Sequence, residues 1–521
     1  MEFLVIILIL FFLFSLIFNY LSLTSKKTSI QIVNEMGIGY NLGYSFDCFD
    51  ISEKIEKEDD LITLCGNPIP TKKTIVEIKK NGFKTIRFPI TWLHFIDELG
   101  TINSHWMHII KEIVDWIIKE NMYCIINIYN DGLLGNWLYE GVKAKNKYIY
   151  LWSQIANEFK DYDELLIFES MDDLEIIKFS LDFGFGYDYE SLNILTQSFV
   201  DTIRNSGGKN SERLLLIAGA NNQLDLTCSS KYKIPIDPNN KLAISMHYYI
   251  PFEFTSTIDN EFYWYDENGN EHLFKTLRNW GTEVDYNEII TNFELIKKYF
   301  VDKGIPVILG EVGVLTEYKK DIISIREYLY AVFSMSSDYN GIMSCLWDTS
   351  NKTIGDMNFM NRENYQWYDT KIKNNFKKIS KGKYIKPKDY FIYTNSITTT
   401  TLDSEDNMNI NIGNKKIIKI IFNIKINEIL TKDIIIHINT CDKNGYIISY
   451  IVGQNYGKKQ YDGSYTFTLE VKDKDLNEVV QVDKLYNDID ITINYLTVIF
   501  EEQFLSIDKN SYKSAISNFI Q

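Results

Sequence analysis

The strongest constraint on the fold is a repeating alternation: between about Ile30 and Ile379, short apolar runs take turns with longer amphipathic stretches. Phe83–Phe88, Tyr123–Ile128, Leu165–Phe168, Leu214–Ala218, Leu242–His247, Pro306–Leu309 and Gly341–Leu346 read as strands buried on both faces. Thr71–Asn81, His105–Glu120, Leu192–Ser206, Tyr286–Lys303 and Lys320–Ser336 carry the helical period. Buried strands separated by helices imply a parallel sheet covered on its outer face. With a first strand near Met36–Tyr40, the pattern predicts an α/β fold, a (β/α)8 TIM barrel over residues 30–382. An open doubly wound sheet is the alternative. GIGYNLG (Gly37–Gly43) has the glycine content of a dinucleotide loop but not its spacing, and no helix opens after it, so no nicotinamide cofactor is expected.

After Tyr384 the texture changes. Residues 383–408 read as a linker, and residues 409–521 as a C-terminal all-β sandwich. Its expected strands are Ile417–Ile424, Ile434–Ile438, Tyr446–Val452, Tyr465–Val471 and Ile491–Phe500. A carbohydrate-binding module, an Ig-like spacer and a surface packed on the barrel all fit this region. Tyr456, Tyr461 and Tyr465 suit either sugar stacking or hairpin packing.

At the other end, Phe3–Phe18 is almost wholly apolar, and Leu21–Leu23 extends it before Lys26-Lys27. Residues 1–27 therefore read as a signal peptide or signal anchor, and the protein as secreted or held at the cell surface. Membrane contact is expected only through this segment, if it is uncleaved. A net charge of −16 repels nucleic acid, which is not an expected partner, whereas a neutral sugar is indifferent to it. Six cysteines in 521 residues are no disulfide framework, although Cys48 and Cys65 flank one acidic loop that an oxidising compartment would let them close. The chain has no CxxC or HExxH and only six histidines, so no metal is expected.

In a barrel, reacting groups stand just past the C-terminal ends of the strands. Those positions hold Arg87, Tyr129-Asn130-Asp131, Glu169 to Asp173, His247-Tyr248-Tyr249, Glu311 and Trp347-Asp348. Two carboxyl groups on opposite strands, flanking a cleft with basic and aromatic residues, are what glycoside hydrolysis requires. One protonates the departing oxygen while the other attacks or activates water.

In order, MGIGYNLGYSFD, CGNP, GFKTIRFPITW, YCIINIYND, LLIFESMDD, SMHYYIP, NWGTEVDY, IPVILGEVGV and CLWDTS resemble the landmarks of glycoside hydrolase family 5, most closely its endo-β-1,4-glucanase and xyloglucanase branch. The resemblance runs from about Met36 to Phe376. It implies a retaining double displacement with Glu311 as nucleophile, Arg87 and Tyr249 holding it ionised and oriented, His247 facing the substrate, and Trp347 as the aromatic floor at the bond to be cut. Trp280 matches an NWG landmark and is expected to stack on sugar at the cleft rim, where Trp137 and Trp264 are also expected.

Three positions depart from the family pattern. Asp172-Asp173 stand where the family has Asn-Glu, Tyr129-Asn130 where it has His-His or a single His, and Tyr44 where it has a small amide. Asp173 keeps an acid/base carboxyl one methylene short, a displacement on the order of 1 Å that costs roughly a hundredfold. Asp172, once ionised, has no proton to donate to the sugar 2-hydroxyl. A helix-capping role for both aspartates is the plain alternative. The expectation is a cellulase-like protein that binds a β-1,4-glucan-type chain and hydrolyses it weakly or not at all. A working endo-β-1,4-glucanase using Asp173 and Glu311, and a structural or adhesion protein using the barrel as a spacer, are the alternatives.

Overall fold

In the computed structural model of the chain, the structure describes residues 26–48, 57–129, 142–172, 177–180, 184–187, 189–257, 261–265, 271–275, 277–281, 283–316, 320–350 and 356–384, together with the backbone of strands between residues 400 and 500. The N-terminal apolar run, Asn130, Trp137, Asp173, Tyr456 and Tyr461 lie outside them. Among the described residues no helix is long and apolar enough to cross a membrane.

Eight parallel strands close into a barrel in which each strand pairs with its neighbours in chain order. They are β1 (Gly39–Asn41), β2 (Thr85–Phe88), β3 (Tyr123–Asn127), β4 (Leu166–Glu169), β5 (Leu215–Ala218), β6 (Leu242–Tyr248), β7 (Val307–Val312) and β8 (Ile342–Leu346). The alternating apolar runs thus form the closed sheet and not the open one. Helices pack outside it, including Lys72–Lys80, Ser104–Lys119, Tyr189–Asn205, Glu283–Tyr299 and Ile322–Asp338.

Period-two alternation sorts each strand into an outer and an inner set. Cys124, Ile126, Leu166, Phe168, Ile244 and Met246 join the large outer core against the helices. Ile125, Ile167, Leu216, Ala243, Ile308 and Met343 form a separate inner cluster. The helix Ser29–Met36 closes the bottom of this inner layer with Ile32, Val33 and Met36. It starts at a capping box in which Thr28 and Gln31 satisfy each other's backbone N–H groups. Met36 therefore ends a helix, and the first strand begins later than the apolar pattern of Met36–Tyr40 suggests. Two further helices, Val142–Glu158 and Thr370–Ile379, carry lysine-rich, weakly apolar sequence that the periodicity did not flag.

One step further along the same inward-facing positions, apolar residues give way to Asn41, Arg87, Asn127, Glu169, Ser245, His247 and Glu311. The register supports this layer, pairing Asn41 with Arg87, Asn127 with Glu169, and His247 with Glu311. A bulge between Leu309 and Glu311 breaks the β6–β7 register and re-aims the end of β7. Gly310 sits in that bulge, where a Cβ would stand 3.2 Å from both Arg87 Nε and Ser245 Oγ.

Beyond residue 400 the strands pair into antiparallel sheets of five and four strands. Thr400–Leu402, inside the stretch read as a linker, pairs with Ile491–Ile493.

Candidate active site

Arg87 is the hub of the polar layer. Its side chain is wholly buried at the end of β2 and meets three carboxylates, with Nε 2.8 Å from Glu169, Nη2 2.5 Å from Asp172 and Nη1 2.9 Å from Glu311. Burial opposes its charge, but the Asp172, Glu169 and Glu311 carboxylates outweigh this and hold its pKa well above the ordinary arginine value. Asn41 turns its side-chain oxygen to Arg87 Nη1 at 3.1 Å and donates its amide to the carbonyls of Gly310 and Leu346. This ties β1 to the bulge that carries Glu311.

Glu311 receives hydrogen bonds from Arg87 Nη1 and, at 2.9 Å, from the Tyr249 hydroxyl. His247 Nδ1 lies 3.4 Å away. Only 6 % of the Glu311 side chain is exposed. The Tyr249 ring stands edge-on to the His247 imidazole, at 88° and 6.2 Å between centroids.

Asp172 is completely buried at the end of β4, and protein groups face both of its oxygens. Oδ2 takes the Arg87 ion pair and an N–H from Asn127 at 3.1 Å. Oδ1 lies 3.2 Å from the Asn222 amide and 3.1 Å from His247 Nε2. Protein groups thus line both oxygens of this carboxylate, and the Asn222 amide lies 2.9 Å from the same His247 Nε2. Burial works against the charge of Asp172, but Arg87 and then His247 reverse that balance and hold its pKa well below the carboxylate range. Glu169 accepts from Ser245 Oγ at 2.5 Å and Asn127 Nδ2 at 3.1 Å.

Asp172, His247 and Glu311 place donor atoms within 4.8 Å of one another, a grouping of the size a cation would need. The imidazole, however, stands between the two carboxylates with a different nitrogen toward each, so the lone pairs do not converge on one point.

Trp347 follows β8, with its backbone N–H donated to the Val312 carbonyl at 2.9 Å, and is mostly buried. Tyr44 stands edge-on to it, at 86° and 6.3 Å between centroids. Tyr44 has a φ of +54°, which a bulky side chain rarely adopts and which costs on the order of 1–3 kcal/mol. The Tyr44 and Ser45 N–H groups donate to Asp47, and the Tyr44 carbonyl accepts from Asn67. Burial pushes the Tyr44 phenol up to about 12, with the Asp356, Asp47 and Glu311 carboxylates adding to the shift. Cys48 and Cys65 are joined, with Cα atoms 6.1 Å apart, behind this loop.

The structure therefore brings Arg87, Asp172, His247, Tyr249 and Glu311 into one cluster, with Trp347 on the adjoining β8 loop. Tyr129, after β3, donates its backbone N–H to the Ile90 carbonyl. Asp173, the expected acid/base residue, directly follows Asp172. Trp264 lies in an antiparallel hairpin of Glu261–Tyr265 with Glu271–Lys275. Trp280 is a correction. It is 1 % exposed and packs edge-on against Tyr286 at 4.8 Å and Tyr328 at 5.4 Å, so it belongs to the core and not to the rim. The turn after it is pinned by the Gly281 N–H donating to Asp285, at a φ of +114°. Asn41, Asn127, Asn222 and Ser245 were not singled out from the sequence. Asn41, Asn127 and Ser245 share one signal, a polar residue in inward phase near the end of an apolar strand.

The family profile described as cellulase (glycosyl hydrolase family 5) matches residues 47–353. An endoglucanase A from Paenibacillus barcinonensis is 33% identical over 326 residues, covering 56% of this chain and 75% of its own. A solved broad-specificity endoglucanase of the GH5-4 type, from an uncultured bovine rumen ciliate, is 53% identical with a TM-score of 0.64, covering 68% of this chain and 99% of its own. A family 5 lichenase from Caldicellulosiruptor sp. F32 is 27% identical with a TM-score of 0.60, covering 68% and 96% respectively.

Proposed function

The chain belongs to the cellulase family, glycosyl hydrolase family 5, and from that premise we propose that it binds β-1,4-glucan-type chains and hydrolyses them weakly. Glu311 is the nucleophile. It attacks the anomeric carbon as the glycosidic bond breaks, giving a glycosyl ester that water then cleaves with net retention. Arg87 and Tyr249 hold its oxygens in place by their hydrogen bonds. Asp173 supplies the proton to the departing oxygen and later accepts one from water, from a side chain one methylene shorter than the family glutamate.

The observation that carries the weak-turnover reading is Asp172. Protein groups line both of its oxygens, and as a carboxylate it has no proton to give. The hydrogen bond to the sugar 2-hydroxyl that strengthens in the transition state is thereby lost, and the loss falls on the step that needs it.

A fully active endoglucanase is the second reading. It is favoured by the 53% identity to a solved endoglucanase and by a nucleophile held in place without ligand. The deciding experiment measures cleavage of barley β-glucan, carboxymethylcellulose and xyloglucan by the native protein and by an Asp172→Asn, Asp173→Glu, Tyr129→His triple variant. The weak-turnover reading expects the triple variant to gain about 10²–10⁴-fold in kcat. Equal rates in both proteins would establish the second reading.

We place the protein outside the cytoplasm, either secreted or surface-held. The Phe3–Phe18 run supports this, and the Cys48–Cys65 bridge fits an oxidising compartment. The C-terminal sheets we read as a β-sandwich accessory to the barrel.

A further inference from the structure

We infer that Tyr44 is a specificity-determining residue that, with Trp347, restricts the cleft beside Glu311 to unbranched β-1,4-glucan. This rests on the β-glucan reading above and adds to it the shape of the chain admitted.

A β-1,4-linked glucan is a flat ribbon whose pyranose faces stack on aromatic rings, while hydroxyls and any branches project from its two edges. A single indole contacts a face and leaves both edges open. A second ring standing perpendicular to the first turns the floor into a corner and closes one edge. Tyr44 and Trp347 make that corner, with planes at 86°. A bare ribbon fits against such a wall, but a sugar branching from the walled edge meets the phenol.

The corner is built from both sides. Gly43 lies so close to Trp347 that a Cβ there would stand 3.1 Å from the indole, so the β1 loop runs directly against the floor. Asn67, itself buried, donates to the Tyr44 carbonyl and to the Thr349 carbonyl, both at 2.8 Å, clamping the β1 and β8 loops together. Arg362, also buried, donates to the Gly43 carbonyl at 2.7 Å and to Ser45 Oγ at 2.9 Å, and reaches the Asp348 carbonyl next to Trp347. These contacts hold a phenol in a backbone conformation that suits asparagine better. Strain held by so many surrounding contacts is characteristic of functional positions.

The test compares Tyr44→Asn and Tyr44→Phe with the native protein. Dissociation constants are measured for cellotetraose and for a xylosyl-branched oligosaccharide on the same four-glucose backbone. The native protein should prefer cellotetraose. Tyr44→Asn should shrink that preference about tenfold or more, while Tyr44→Phe, which keeps the ring, should retain it. A thermal melt of each variant reports folding separately from binding.

An unchanged ratio in Tyr44→Asn, equal native binding of both oligosaccharides, or an equal loss in Tyr44→Phe would overturn the inference while leaving the β-glucan reading in place. Failure of the native protein to bind either oligosaccharide would overturn the β-glucan reading first, and this inference with it.

Discussion

Two carboxylates at the top of the barrel, Glu311 on β7 and Asp172 just past β4, share one guanidinium, yet their surroundings differ. Glu311 meets two hydrogen-bond donors and keeps a small exposed fraction from which to meet a ligand. Asp172 is sealed, with Arg87, Asn127, Asn222 and His247 around it. The first arrangement suits the nucleophile proposed for Glu311, and the second turns both carboxylate oxygens of Asp172 toward protein groups. On the proposed reading an intact hydrogen-bond network is not the same as an intact catalytic half, because an aspartate at position 172 keeps the network and has no N–H to offer a substrate.

The harshest way to break this comparison is to remove the group both halves share. Arg87→Met leaves three buried carboxylates without their cation, and unfolding by urea should show a loss of about 3–5 kcal/mol. Adding Asp172→Asn to that variant should recover part of the loss, and no recovery would mean that Asp172 does not draw on Arg87 as described.

Acidity separates the ion-paired Asp172 from Asp47, which is held by backbone N–H groups. Burial pushes the Asp47 carboxyl up to about 6, since the backbone N–H groups of Tyr44 and Ser45 only partly compensate. A raised folded-state pKa means that stability is full below pH 4 and falls as pH rises through 6, by on the order of 3 kcal/mol. Asp47→Asn should flatten that slope. Asp172 runs the other way: its pKa is depressed, so its contribution holds above pH 4 and is lost only in stronger acid. In thermal melts from pH 3 to pH 8, Asp47→Asn should therefore remove a pH-dependent slope between pH 4 and 6, whereas Asp172→Asn should change the slope only below pH 4.

Smaller effects should stay on one side each. Asn127→Ala withdraws one donor from Asp172 and one from Glu169 and should cost about 1–3 kcal/mol of stability. Tyr249→Phe withdraws one donor from Glu311. It should lower kcat about tenfold or more with little change in melting temperature, as expected for a hydrogen bond to a charged group worth about 1.5–3 kcal/mol.

Much of this was legible in the sequence because strands and chemistry obey the same alternation. Arg87, His247, Glu311 and Trp347 stand just past apolar runs, where a barrel presents its reacting groups, and the strands fall within a few residues of their expected bounds. What stayed hidden depends on contacts distant in the chain. Asn222 reaches Asp172 and His247 from the loop after β5, which no strand period marks. Trp280 sits in a motif that suggests the rim, but a pinned glycine turn and two tyrosine rings draw it into the core. The αL conformation of Tyr44 is equally invisible, because a tyrosine gives no local signal for it.

If Glu311 works as the nucleophile while the acid side limits turnover, cleavage rates should depend steeply on the leaving group. A 2,4-dinitrophenyl β-cellobioside departs without protonation, whereas cellotetraose needs it. Release of dinitrophenol should be rapid, and abolished in Glu311→Ala, beside slow cleavage of cellotetraose. The Asp172→Asn, Asp173→Glu, Tyr129→His variant should narrow the gap between the two substrates by about 10²-fold or more. A native protein that cleaves both at comparable rates, or that releases dinitrophenol no faster than its Glu311→Ala variant, would contradict that division of roles.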